Sequence, residues 1–130
     1  MGDMEQGQLT TNGVHLKAHE LETVRFFLGR GQDVELIPAV GTNGQRTADI
    51  LMGGVVWEMK SPEGDGKNNM RNTFQNAAGQ SNSIIIDLRR SKLSTDQCLK
   101  ELKWHFGQSK RVRRLSIITK ENLLVELSRG

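Results

Sequence analysis

A chain of 130 residues without internal repeats is long enough for one domain with a hydrophobic core and short for two. Its single cysteine, Cys98, excludes an intramolecular disulfide and a cysteine-rich zinc module, and no apolar run approaches the roughly 18 residues that span a bilayer. The net charge is +3, but the chain up to Lys60 holds five basic and eight acidic residues and the remainder 13 and seven, giving −3 and +6.

Residues 1–13 are polar and lack periodicity, so they are expected to form a flexible lead, with the folded domain over 14–130. From His15 to Arg30, Leu21, Val24, Phe27 and Leu28 fall on one helical face, with Gly31 as terminator. Val34 to Pro38 reads as a short strand stopped by its proline, and Gly41 to Gly44 as a loop. Thr47 to Met52 and Val55 to Lys60 are rich in strand formers and flank Gly53-Gly54, which can take the positive φ of a tight hairpin turn.

A second helix is expected over Lys67 to Ala78, with Met70, Phe74, Ala77 and Ala78 facing the core. Ser83 to Leu88 is a continuous apolar run of strand length, expected as a covered parallel strand. Ser94 and Gln97 match a capping box that opens a third helix, with Leu99, Leu102 and Phe106 inward and Gly107 at its end. Two strands, Arg114 to Thr119 and Leu123 to Leu127, close the domain. The order αβββαβαββ predicts an α/β fold, a mixed sheet flanked by helices.

The hairpin carries the chemistry. With a two-residue turn at Gly53 and Gly54, Asp49 lies opposite Glu58, and alternation puts Lys60 on the same face. Ile50, Met52, Val55, Trp57 and Met59 occupy the other, apolar face. Opposed carboxylates repel, and a divalent cation with hard oxygen ligands would offset that cost. An exposed cross-strand charge cluster, with Lys60 neutralising one acid, would use the same residues. Glu20 falls inside the apolar arc of the first helix, where it either seeks a partner or flanks the core and reaches water.

Ala48-Asp49, then Glu58-Met59-Lys60 after a hairpin, preceded by an acidic helix, resembles the PD-(D/E)XK nuclease superfamily, whose core order also matches; Ala48 stands where the motif has proline. The run ADILMGGVVWEMKSP with a downstream helix and IIIDLRR is similar to the C-terminal toxin domains of CdiA-type contact-dependent growth inhibition proteins. The resemblance implies a nuclease toxin acting on RNA, with tRNA as the expected substrate. It implies Asp49, Glu58 and Glu20 as metal ligands and Lys60 beside the attacked phosphate. Mg²⁺ is the expected metal, with Mn²⁺ or Zn²⁺ as alternatives. It also implies export as the tip of a larger surface toxin, action in the target-cell cytoplasm, and a cognate immunity protein, expected to be acidic because it meets a basic surface.

A metal between two carboxylates would polarise the phosphoryl oxygen and lower the pKa of bound water, while lysine stabilises the developing charge. An RNA 2′-hydroxyl could be the nucleophile instead, with no metal. Lys67, Arg71 and Gln75, spaced by four, are candidate nucleic-acid contacts, as are Arg89, Arg90 and Lys92 and the cluster Lys110, Arg111, Arg113 and Arg114; solvated surfaces would look the same. Trp57, Trp104 and the phenylalanines are expected on core faces, which disfavours recognition by stacking. His15, His19 and His105 lack metal-ligand spacing. A DNA endonuclease with the same site, or a noncatalytic nucleic-acid-binding module, are the rival readings.

Overall fold

The computed structural model describes residues 6–38 and 49–129, and the chain divides into two compact units, Met1–Met59 and Lys60–Gly130. The described residues hold three α-helices and seven strands in an α/β arrangement with parallel and antiparallel pairings in each unit. The expected loop at Gly41 to Gly44 and the start of the expected strand at Thr47 and Ala48 lie outside the described residues.

In the first unit, β1 (Leu9–Thr10) pairs in parallel with β2 (Val34–Leu36), and α1 (Ala18–Gly29) connects them. β1 lies within the stretch expected to be a flexible lead. Its residues carry no periodic signal, but the backbone is held from outside: Gly7 N donates to the Leu28 carbonyl at 2.8 Å, and Gln8 N donates to Asp33 Oδ1 at 2.8 Å. Gly7 permits this approach, because a Cβ there would lie 1.7 Å from the Gln32 carbonyl oxygen. α1 buries Thr23, Val24, Phe27 and Leu28, the arc expected from their spacing.

β2 pairs antiparallel with β3 (Asp49–Met52), which pairs antiparallel with β4 (Val55–Lys60). The β3–β4 turn is Gly53-Gly54, at φ +62° and +77°, the pair of left-handed conformations that matches the strand twist in a two-residue hairpin. Ile50, Met52, Trp57 and Met59 are buried on one face, and the Trp57 indole N–H donates to the Met52 carbonyl at 3.2 Å.

The second unit contains α2 (Asn69–Ala78), β5 (Ser83–Asp87), α3 (Thr95–Gln108), β6 (Arg114–Ile118) and β7 (Leu124–Ser128). β5 is parallel to β6, as a strand–helix–strand crossover through α3 requires, and β6 is antiparallel to β7. Every residue of β5 is buried, matching its unbroken apolar run. Met70 and Phe74 from α2 and Cys98 and Leu102 from α3 pack with Ile84, Ile86, Leu115 and Ile117 into one core. Ser94 Oγ caps α3 by accepting from Gln97 N at 3.2 Å. The helix passes through the expected stop at Gly107 and ends where Ser109 Oγ accepts from Val112 N at 3.0 Å, giving the chain an alternative to another helical turn.

Alanine at either Gly53 or Gly54 is expected to destabilise the protein by roughly 1–2 kcal/mol through its left-handed backbone, measured by urea denaturation. Burial, ahead of its other influences, pushes the Cys98 thiol up from its ordinary value. Thiol alkylation at neutral pH is therefore expected only in step with unfolding; rapid labelling of the native chain would contradict this placement.

Candidate functional site

The hairpin register pairs Asp49 directly with Glu58. The Asp49 carbonyl accepts from Ile37 N at 3.2 Å, so its backbone faces away from β4, and the pair with Glu58 is of the non-hydrogen-bonded kind that brings side chains closest. Their Cβ atoms are then about 4.5–5.5 Å apart. Asp49 is half-buried and Glu58 only 1% exposed, so the pair is not a solvated surface cluster. Two residues beyond Glu58 on the same strand, alternation carries half-buried Lys60 to the same side.

A buried carboxylate facing a second one needs positive charge, donated hydrogen bonds or a proton to hold it there. The described donor set, two carboxylates, suits a hard divalent cation that keeps water or phosphate oxygens in its remaining positions. Among the described residues no three His, Cys, Asp or Glu side chains converge on a common metal position. Glu20 is therefore not gathered with Asp49 and Glu58 into a three-ligand group. Its Oε1 accepts from Lys17 N at 2.9 Å and closes the first turn of α1, a capping role that the apolar arc of the helix did not reveal.

The basic candidates differ in what holds them. Arg89 donates to both oxygens of Asp87, Nε to Oδ1 at 2.9 Å and Nη2 to Oδ2 at 2.8 Å, while its backbone N–H adds a third bond to Oδ1 at 3.1 Å. Asp87 is buried at the end of β5 and escaped notice because it follows three isoleucines in a run read as apolar. Arg90 reaches the loop that follows Lys60, donating from Nη2 to the Ser61 carbonyl at 3.2 Å and pairing with Glu63 at 3.3 Å. Arg71 and Gln75 are exposed on α2, whereas Lys67 precedes the helix. Lys92, Lys110, Arg111, Arg113 and Arg114 are also exposed.

Trp104 corrects the expectation that it faces the core: it is 62% exposed. The sequence carried the signal, because Trp104 follows the buried Leu102 by two residues, roughly 200° around the helix.

The architecture has a counterpart among solved structures. It matches a chain of the CdiA-CT/CdiI toxin and immunity complex from Burkholderia pseudomallei with a TM-score of 0.69 at 16% identity, over 95% of this chain and 100% of that one. The sequence profile of the contact-dependent growth inhibition CdiA C-terminal domain matches residues 46–123, more than half of the chain, and the protein belongs to that family. It is therefore a growth-inhibition toxin domain. No curated protein matches it in sequence. Among the described residues, no helix is long and apolar enough to cross a membrane.

Replacing Arg89 with alanine strips a buried carboxylate of its fork of donors. The expected loss is roughly 1–3 kcal/mol, below that of a fully buried pair because Arg89 keeps 25% of its side chain exposed. Chemical denaturation should show the loss, and adding Asp87→Asn on that background should recover part of it.

Proposed function

We propose that this domain is a metal-dependent endonuclease of the PD-(D/E)XK kind that cleaves RNA, with tRNA as its substrate, in the cytoplasm of a competing bacterial cell. The observation that carries this reading is the buried carboxylate of Glu58 held opposite Asp49, with Lys60 two residues along on the same side. Asp49 and Glu58 would hold a divalent cation, Mg²⁺ by the hardness of their oxygens. When bound, it would supply Lewis-acid polarisation of the scissile phosphate and a water of lowered pKa.

The chain's own residues do the rest. With a cation held between them, Asp49 and Glu58 would orient the attacking water. Its proton passes to one carboxylate or to solvent as the new O–P bond forms, and the bond to the leaving oxygen breaks, that oxygen taking a proton from solvent. The Lys60 ammonium opposes charge that grows on the phosphoryl oxygens in the transition state, where a fixed cation acts most strongly in a partly dry site. Arg90, tied to the Ser61 carbonyl just past Lys60, adds a guanidinium beside the segment that leaves the catalytic strand. The exposed basic residues after Lys60 would hold the phosphate backbone, which makes binding steeply salt-dependent. Glu20 belongs to this reading only as the cap that fixes the start of α1.

The toxin–immunity complex that shares the fold supports a cognate immunity protein for this chain. An acidic one fits the +6 charge of the residues after Lys60, because opposite charge covers that surface and speeds encounter.

Purified protein incubated with tRNA, duplex DNA and unpaired strands, with Mg²⁺ or with chelator, tests the proposal. Cleavage of tRNA in Mg²⁺ and none in chelator is expected. Asp49→Asn, Glu58→Gln and Lys60→Ala should each slow it by about 10²–10³-fold while binding persists. Preference for duplex DNA would reassign the substrate. Undiminished cleavage by both carboxylate variants would remove the active site.

A further inference from the structure

Within the second unit, an exposed aromatic cluster lies between α2 and α3, apart from the hairpin carboxylates in the sequence and unused by the chemistry above. Phe74 and His105 stack with ring centroids 5.8 Å apart and planes 24° from parallel. Trp104 meets His105 edge-on at 5.1 Å. Phe74 is buried and anchors the stack, whereas Trp104 is 62% exposed at its outer end. A single exposed indole is ordinary on a protein surface; this one is distinguished by the aromatic stack behind it and by the grooves it lines.

Two grooves share Trp104 and His105 in their walls. One, of about 650 Å³, has Arg71, Gln75 and Gln108 along its rim. The other, of about 520 Å³, has Lys100 and Glu101, whose Oε2 already accepts from the Gln97 amide at 3.1 Å. Both volumes fall within the roughly 300–1,000 Å³ of small-ligand sites.

We infer that this platform binds an unpaired nucleobase of the RNA substrate, stacked on Trp104; the assignment rests on the nuclease reading above and adds the substrate class, RNA with an exposed single-stranded stretch. Three features point to a nucleotide. The indole offers a flat apolar surface beside a groove, on which a base can stack. Gln75 and Gln108 each carry an amide donor and acceptor, the combination that reads a base edge. Arg71 and Lys100 put cations beside the two grooves, where the phosphates flanking a stacked base would run. Duplex RNA is a poor fit, because its bases are already stacked on one another. An acidic peptide would also answer the cations, and the binding test separates it from RNA.

The test uses the full chain carrying Glu58→Gln, so that bound RNA is not cut, with both tryptophans labelled as 5-fluorotryptophan. Trp104 is assigned by its loss in Trp104→Phe. Adding an unstructured eight-nucleotide RNA should shift the Trp104 fluorine resonance and leave that of buried Trp57 in place, while the same RNA annealed into a blunt duplex should not. Trp104→Ala should bind the single strand about tenfold more weakly, with Trp104→Phe close to the parent and circular dichroism unchanged in both. An unmoved Trp104 resonance, or parental affinity in Trp104→Ala, overturns the inference. So does a Trp104→Ala chain that binds RNA normally but escapes its immunity protein, which would make the platform a protein-docking surface. If the unmutated chain cuts no nucleic acid while the Trp104 resonance still responds to single strands, the nuclease reading falls and the base-binding platform stands.

Discussion

The register of one two-residue turn governs the site. Because side chains alternate, a slip of a single residue between β3 and β4 would move every side chain of one strand to the opposite face and separate Asp49 from Glu58. The apolar face prevents that slip. Ile50, Met52, Trp57 and Met59 are buried together on one side of the hairpin, each contributing about 1.5–3 kcal/mol by leaving water. Two like charges placed opposite one another cost roughly 0.2–1 kcal/mol on an exposed sheet, and several more when one of them is buried. Apolar burial therefore fixes the register that sets the two carboxylates opposite one another. The turn glycines make this register available, and the indole bond from Trp57 to the Met52 carbonyl fastens it near the turn.

The charge asymmetry along the chain acquires a physical meaning from the second unit. Its basic residues do not form one equivalent set. Arg89 neutralises the buried Asp87 at the end of β5 and so serves the fold. Arg90 braces the segment after Lys60. Lys92, Lys110, Arg111 and Arg113 remain exposed and supply the long-range positive field. A count of lysines and arginines cannot separate these duties, because the separation depends on which acid each guanidinium meets after folding.

Most of the fold was legible from the sequence because its signals are local. Gly53-Gly54 between two runs of strand formers specified the hairpin, Ser94 and Gln97 the start of α3, and the isoleucine run a covered parallel strand. The two-residue β1 was not legible, since Leu9–Thr10 has no pattern of its own and forms only because β2 offers an unpaired edge. The cap made by Glu20 was also hidden, because Lys17 is not a residue type that announces an N-cap. In the site, the opposition of Asp49 and Glu58 followed from counting back from the turn, whereas the burial of Glu58 required the tertiary structure. Asp87 and Trp104 were readable in principle: one is a charge ending an apolar strand, the other an aromatic ring on the polar side of a helix. Composition-led reading grouped both with the core.

Residues 46–123, over which the family is matched, include the hairpin, α2, β5, α3 and β6, and leave out β1, α1, β2 and β7. The matched stretch thus contains both carboxylates, the lysine, the brace from Arg90 and the aromatic platform, while Glu20 falls outside it. In the structure Glu20 accepts from the Lys17 backbone at the start of α1. A CdiA-CT/CdiI chain at 16% identity still preserves the architecture, so the fold tolerates replacement of most side chains. Loss of the alternation that keeps one face of β3 and β4 apolar would expose that face and separate Asp49 from Glu58. The placement of the acids and the stability of this hairpin are two consequences of one pattern.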